Sequence, residues 1–288
     1  MKVKGFDKLV EKVPYLAGKK ILFLPLYALF VIAVGAFILG YCYSLPGIIL
    51  SLGFDAPLTV LAPLLGVLCI QSTGFILVFQ VWRLKRKFRE RYGINSFARV
   101  FPIGFTGVLF VLMLSFNQFI PFYDFSRLFW DHSPFRILIT PIDSLSGSLA
   151  PILSISKYVI AALLFCTGIL LVIRAFLTFG IDYMLLVYLY FPEESEVQNQ
   201  KIYSALRHPA YAAIIIISLA GTIFSFTLFS VALFLLYLTG FLIHVRLVEE
   251  KELIERFGSS YEDYRKKVPA FFVKPKNLSI LFGFLLGK

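Results

Sequence analysis

Charge is scarce in this chain, and cysteine and histidine are scarcer. Of 288 residues only 16% are Asp, Glu, Lys or Arg, against 59% hydrophobic and 17% aromatic, and mean hydropathy is +0.82. Soluble domains carry about 25% charged residues, so an ordinary water-soluble fold is excluded. The three cysteines, Cys42, Cys69 and Cys166, sit in or beside apolar runs with no CxxC spacing, which implies neither a disulfide framework nor a thiolate metal site. Three histidines spread over 112 residues without an HxxxH pair give no zinc signature, and no metal is expected. Missing too are the alternating pattern of barrel strands, a Gly-x-Gly-x-x-Gly turn for a Rossmann domain and a Gly-x-Ser-x-Gly nucleophile elbow. No short leader-like core precedes the first apolar run near Ile21, so no cleaved signal is expected.

What is present is apolar length. An α-helix crosses a bilayer with about 20 apolar residues, and runs near 21–42, 57–82, 99–120 and 152–176 meet that requirement. "LPGIILSLGF" reads as a short connection between the first two, and "FGIDYMLLVYLYF" as a segment along the interface or an extension of the fourth helix. From Pro209 to Val245 the chain has no Asp, Glu, Lys or Arg, with "GTIFSF" near the middle. That is too long for one crossing, and a two-helix hairpin is expected. The expected fold is an all-α, polytopic helical membrane bundle of about six spans, with a C-terminal hairpin and a short cytosolic helical tail.

The charge that remains is clustered. The net charge of +11 comes from an N-terminal stretch with six lysines in its first 20 residues, from "WRLKRKFRERYG" and from the segment after Arg246. Six crossings place all of these on one side, and the positive-inside rule makes that side cytosolic. The basic excess is a membrane feature; nucleic acid is not expected as a partner. In the tail, Gly258 can end the helix leaving the membrane, Ser259 with Glu262 fits a capping box, and Pro269 stops the next helix. "NLSILFGFLLGK" is short and apolar, as an interfacial segment would be.

Two groups of polar residues border the hairpin. Pro209 suits the first position of a helix, which makes His208 the cap. The N–H groups of Ala210, Tyr211 and Ala212 are then expected to face the interface unpaired, where an anion is favoured. Arg207 and His208 taken alone are better explained as headgroup anchors. At the other end, Arg246, Glu249 and Glu250 lie within about one turn, and Arg246 and Glu250 are at i,i+4 spacing. A tight hairpin brings these two ends together, which turns two ordinary helix ends into a pocket.

The ordered set Tyr203, Arg207-His208-Pro209-x-Tyr211, Glu249-Glu250, Leu253, Phe257-Gly258-x-x-Tyr261-x-x-Tyr264 and Val268-Pro269 resembles the C-terminal signature of isoprenylcysteine carboxyl methyltransferases, parts of which are shared by membrane phospholipid methyltransferases. The resemblance implies S-adenosylmethionine as methyl donor. It implies cofactor contacts from Tyr203, Arg207, His208, Pro209, Tyr211 and Glu249, with Arg246, Glu249 and Glu250 toward the reacting groups. The acceptor it implies is a lipid or lipidated small molecule, most simply a prenylcysteine-type carboxylate; a phospholipid amine is the alternative. Residues 1–180 are then membrane spans shaping the acceptor's entrance, and 181–288 the methyltransferase-like hairpin and tail. The membrane is the plasma membrane in a prokaryote and the endoplasmic reticulum in a eukaryote.

Four places depart from the pattern, among them Ala212-Ala213 where relatives carry glycine and Ala270 where they carry a basic residue. Lys201 stands where relatives carry glycine, and Arg246 is three positions before Glu249 rather than four. A sterol-reductase-type enzyme using NADPH shares the Arg-His-Pro-x-Tyr element, but no added arginines suit a 2′-phosphate. A channel or transporter would need ionisable residues along a pathway; Lys157, Arg174, Asp182 and His244 all lie near expected span ends.

Overall fold

The computed structural model describes residues 4–18, 22–53, 58–119, 140–145, 147–194 and 201–287, and among these there is no β-strand. Long helices are α2 (Phe23–Ser51), α3 (Leu58–Arg83), α5 (Ser96–Asn117), α6 (Ala150–Phe179), α9 (Pro209–Ser225) and α10 (Leu228–His244). A short N-terminal helix, α1 (Phe6–Lys12), precedes them, and α4 (Lys85–Tyr92) joins α3 to α5. After α6 come two single turns, α7 (Ile181–Met184) and α8 (Val187–Tyr190). The tail holds α11 (Glu250–Phe257), α12 (Ser259–Lys267) and α13 (Leu278–Leu285).

Among the described residues five stretches are long and apolar enough to cross a membrane: Phe23–Cys42, Leu65–Arg83, Lys85–Phe116, Pro151–Phe179 and Leu228–Phe257. The expected sixth crossing is α9, at 17 residues. It is about 25 Å long by helical rise, shorter than the roughly 30 Å hydrocarbon layer. The hairpin itself is as expected. Phe226 takes a left-handed conformation (φ 46°), and Thr227 caps α10 through a reciprocal capping box with Ser230.

Close backbone approach holds the helices together, because lipid tails give apolar side chains no reason to prefer one another. A Cβ on Gly107 of α5 would stand 2.8 Å from the Gly74 carbonyl oxygen of α3, and one on Gly168 of α6 would meet Ile217 of α9 at 2.6 Å. Buried polar side chains add directional links. Gln118 Nε2 donates to Ser218 Oγ at 2.7 Å and the Gln118 amide oxygen accepts from Thr222, which ties α9 to the end of α5. Gln71 Nε2 donates to the Leu236 carbonyl at 2.8 Å, fixing α3 against α10.

Several local expectations change. Helix α2 continues through Pro46 and Gly47 to Ser51, so most of the supposed connection is helical, and Phe54 lies outside the described residues. The segment after α6 neither extends that helix nor lies along a surface. Gly180 (φ 97°) breaks α6, and Val187–Phe191 turns inward to a core with Leu9, Val13 and Phe97. Helix α1 covers that core, with Lys8 and Lys12 paired to Glu194 at 2.6 and 3.0 Å, so the lysine-rich terminus is partly a packed element. The Ser259–Glu262 capping box does not form: Gly258 itself precedes α12, its carbonyl accepting from Tyr261 and Glu262. His132 and most of the 121–150 loop lie outside the described residues.

Candidate active site

The end of the bundle where α9 begins and α10 leaves holds a cavity of about 200 Å³. Its wall brings together Tyr203, Arg207, His208, Pro209 and Tyr211 from one side of the hairpin and Glu249, Glu252 and Arg256 from the other. Trp82 of α3 is the single contribution from before residue 180 among the described residues; every other lining residue falls between Tyr183 and Tyr264.

The first wall follows from Pro209. Its ring fixes φ for the first helical position and has no N–H to satisfy, so α9 starts there with His208 as cap. The Ala212 N–H already bonds the His208 carbonyl at 2.9 Å, leaving Ala210 and Tyr211 as the donors at the helix mouth. The tail closes the corner from below. Arg207 N–H donates to the Pro269 carbonyl at 2.9 Å and His208 N–H to the Ala270 carbonyl at 3.1 Å, which gives the Val268-Pro269 element a physical role. Tyr264 Oη donates to the Tyr203 carbonyl at 2.6 Å, and Phe179 meets the Tyr203 ring edge-on at 4.5 Å.

The second wall is shaped by a π-turn at Val245–Glu249 that joins α10 to α11. π-Turns concentrate at functional sites because they redirect side chains without ending the helix. Here the position four before Glu249 is Val245, which is buried, whereas Arg246 is exposed and outside the cavity wall. The structure therefore does not bring Arg246 to the site. The two glutamates also separate. Glu250 accepts from Arg207 Nη2 at 2.5 Å and lies 3.8 Å from Arg265, tying the hairpin to the tail outside the cavity. Glu249 faces the cavity, with its Oε1 3.5 Å from His208 Nδ1 and a hydrogen bond from Tyr211.

Burial alone would push the His208 imidazole below its ordinary value. Glu249 and Glu250 reverse that and hold it at about 9, so the ring is an imidazolium at neutral pH. The Tyr203 phenol is raised by burial and by the nearby Glu249 charge, and stays protonated. Arg207 acts first as a clamp, donating to the Arg265 and Val268 carbonyls at 2.6 and 2.5 Å as well as to Glu250. Four buried polar atoms of the lining residues have no hydrogen-bond partner among the described residues: Trp82 Nε1, Arg207 Nε, Glu249 Oε2 and Tyr261 Oη. Buried polar atoms are almost always paired.

A family description for phospholipid methyltransferase matches residues 156–260. The segment contains the signature positions from Tyr203 to Gly258 and stops short of Tyr261, Tyr264 and Val268-Pro269. Protein-S-isoprenylcysteine O-methyltransferase of Schizosaccharomyces pombe is 41% identical over 69 residues, a stretch that spans 24% of this chain and 29% of that protein. No solved structure matches the chain significantly. The matched segment supplies nearly all of the cavity wall.

Sequence reasoning missed five contributors. Tyr183 and Tyr188 belong to the apolar stretch after α6, and only the break at Gly180 brings them to the cavity. Trp82 sat in a basic run read as a solvated face. Glu252 and Arg256 lie between signature positions and looked like an ordinary i,i+4 helix pair. Among the described residues no cluster of His, Cys, Asp and Glu is arranged to hold a metal ion.

Proposed function

We propose that the cavity binds S-adenosylmethionine and that its methyl group passes to the carboxylate of a lipid-linked, prenylcysteine-type acceptor at the cytosolic face of the membrane. The observation that carries this reading is the meeting of the proline-led helix start with the Glu249 exit, in a wall holding four buried polar atoms without a partner among the described residues. Those atoms fit the donor: an amino-acid end with both charges, ribose hydroxyls and a sulfonium. The α9 mouth favours a carboxylate, Glu249 Oε2 suits an ammonium or hydroxyl, and the Tyr203 and Tyr211 ring faces suit a cation. When bound, S-adenosylmethionine supplies a methyl group already activated on positive sulfur.

The protein's task is then positioning and exclusion of water. A carboxylate acceptor is already deprotonated and needs no base. Its oxygen forms the new bond to the methyl carbon while the carbon–sulfur bond breaks, the electron pair going to sulfur, so a methyl ester and a neutral thioether result without proton transfer. An apolar surface for a lipid tail adjoins the site. An apolar crevice between α3 and α5, lined by Val78, Phe101 and Gly104, shares Met184 and Leu186 with the cavity. The N-terminal spans would in this way select the acceptor, and the segment from 181 onward would hold the donor. The basic arm, the 83–99 segment and the basic tail on the cavity's side support a cytosolic site.

A second reading, methylation of a phospholipid amine, is favoured by the description of the matched family. It would need Glu249 as a base. Proteoliposomes given methyl-labelled S-adenosylmethionine with either N-acetyl-S-farnesylcysteine or phosphatidylethanolamine separate the two. Base-labile methyl ester on the cysteine derivative is expected. Label confined to the phospholipid amine would replace the first reading with the second, and no transfer to either would remove both.

A further inference from the structure

Glu252 faces two cavities. Besides the site already described, it and Trp82 line a wider groove of about 750 Å³ between the α3–α4 corner and α11. The groove has an apolar edge at Phe79 and Leu247, both exposed at the bundle's outer surface. Its rim carries Arg83, Lys85, Arg86, Arg89 and Lys251 against three glutamates. A lipid-anchored anion is the ligand that such a rim and edge attract together.

At the partition between groove and cavity, a single carboxylate oxygen collects three donors. Glu252 Oε1 accepts from Lys85 Nζ at 2.8 Å, from Arg256 Nη2 at 2.6 Å and from Arg256 Nε at 3.0 Å. Glu252 and Arg256 are each 13% exposed, unlike the solvated helix pairs that contribute little. The third donor comes from a different helix. In the same partition the Trp82 indole N–H is buried without a partner among the described residues, and such a donor is normally paired. A guanidinium edge and an ammonium converging on Glu252, with the Trp82 indole N–H in the wall shared by both cavities, make a carboxylate site that Glu252 occupies from within the chain.

We propose that Lys85, Arg256 and Trp82 are the acceptor's carboxylate subsite, that the basic groove is its route from the membrane, and that Glu252 is a resident stand-in that yields those donors when the acceptor arrives. This rests on the methyl-transfer reading and gives Arg256 the orienting role that Arg246 is too exposed to fill. The two members of one salt bridge then act in opposite directions. Glu252→Gln removes the competing charge and strengthens acceptor binding, whereas Arg256→Ala removes the fork and weakens it. Trp82→Phe, which keeps the ring and loses the N–H, also weakens it.

The test is calorimetric titration of N-acetyl-S-farnesylcysteine, and of its methyl ester as the carboxylate-free control, into the full-length protein in nanodiscs, with S-adenosylmethionine titrated separately into each variant. The acid is expected to bind at least about tenfold tighter than the ester, as charge-assisted hydrogen bonds imply. Affinity for the acid should rise about threefold in Glu252→Gln and fall about tenfold in Arg256→Ala, with Arg256→Lys intermediate. Because Trp82, Glu252 and Arg256 also line the donor cavity, acid affinities are compared among variants in the absence of donor. Equal binding of acid and ester, or loss of acid affinity in both Glu252→Gln and Arg256→Ala, overturns the subsite and leaves a structural strut. Because acid binding is read without the donor, loss of S-adenosylmethionine binding in the wild type would strike the methyl-transfer reading separately.

Discussion

His208 Nδ1 stands 3.5 Å from Glu249 Oε1 across the junction where α9 begins and the π-turn ends. His208 is buried and Glu249 mostly so, and Glu250 approaches the other ring nitrogen at 3.4 Å. The contact joins the two ends of the hairpin and sets the shape of the cavity between them.

Removing one member of a buried pair leaves the other charged and unpaired, which costs about 3–5 kcal/mol. His208→Ala is expected at the lower end of that range, because Arg207 still neutralises Glu250. Thermal unfolding in detergent should show a clear fall in Tm. His208→Gln, which keeps a hydrogen-bonding side chain, should recover part of it.

The pair also sets an alkaline limit. Burial opposes the His208 charge, but the two glutamates raise the folded value to about 9 from 6.5. A raised value contributes stability that is fully present below 6.5 and is lost as pH rises through about 9. Tm measured across that window should decline for the wild type. The decline should be shallower in His208→Gln, which has nothing to titrate.

Lys201 sits at φ 51°, in the left-handed region where relatives' glycine would be at ease. A non-glycine residue there costs about 1–2 kcal/mol, part of which glycine returns as unfolded-state entropy. Lys201→Gly should therefore raise stability by up to about 1 kcal/mol, and the β-branched Lys201→Val should lower it. Chemical denaturation of the two variants checks the sign.

Gly107 leaves no room for a side chain, since backbone atoms of Gly74 and Val78 both lie 2.8 Å from where its Cβ would be. Gly107→Val should force α3 and α5 apart and cost about 2–3 kcal/mol. The fall in Tm should be accompanied by poorer extraction of folded protein.

Arg246 projects away from the cavity. Arg246→Ala should change the methyl-transfer rate by no more than about twofold, the range of an exposed substitution. A loss of a hundredfold would return Arg246 to the reacting centre.

The bundle and its hairpin were legible in the sequence because the bilayer demands apolar length, and the pocket's two ends were legible because a short connection leaves them adjacent. What escaped notice depends on rotation and on backbone breaks. The π-turn exposes Arg246 and sends Glu249 and Glu250 to different faces, which an i,i+4 count cannot foresee. Gly180 folds Tyr183 and Tyr188 back to the cavity through a backbone angle with no periodicity behind it. In α2 the run through Pro46-Gly47 read as a connection, yet the helix continues; such residues are tolerated in membrane helices where the freed groups are satisfied locally. Trp82 and Arg256 gained meaning only from neighbours distant in sequence.

The most direct test is calorimetric titration of S-adenosylmethionine and of NADPH into the purified protein in nanodiscs, repeated for Glu249→Ala. Saturable S-adenosylmethionine binding, weakened at least about tenfold by the substitution, with no NADPH binding, is expected. Saturable NADPH binding without any for S-adenosylmethionine would contradict a methyl-donor pocket at the junction of His208 and Glu249.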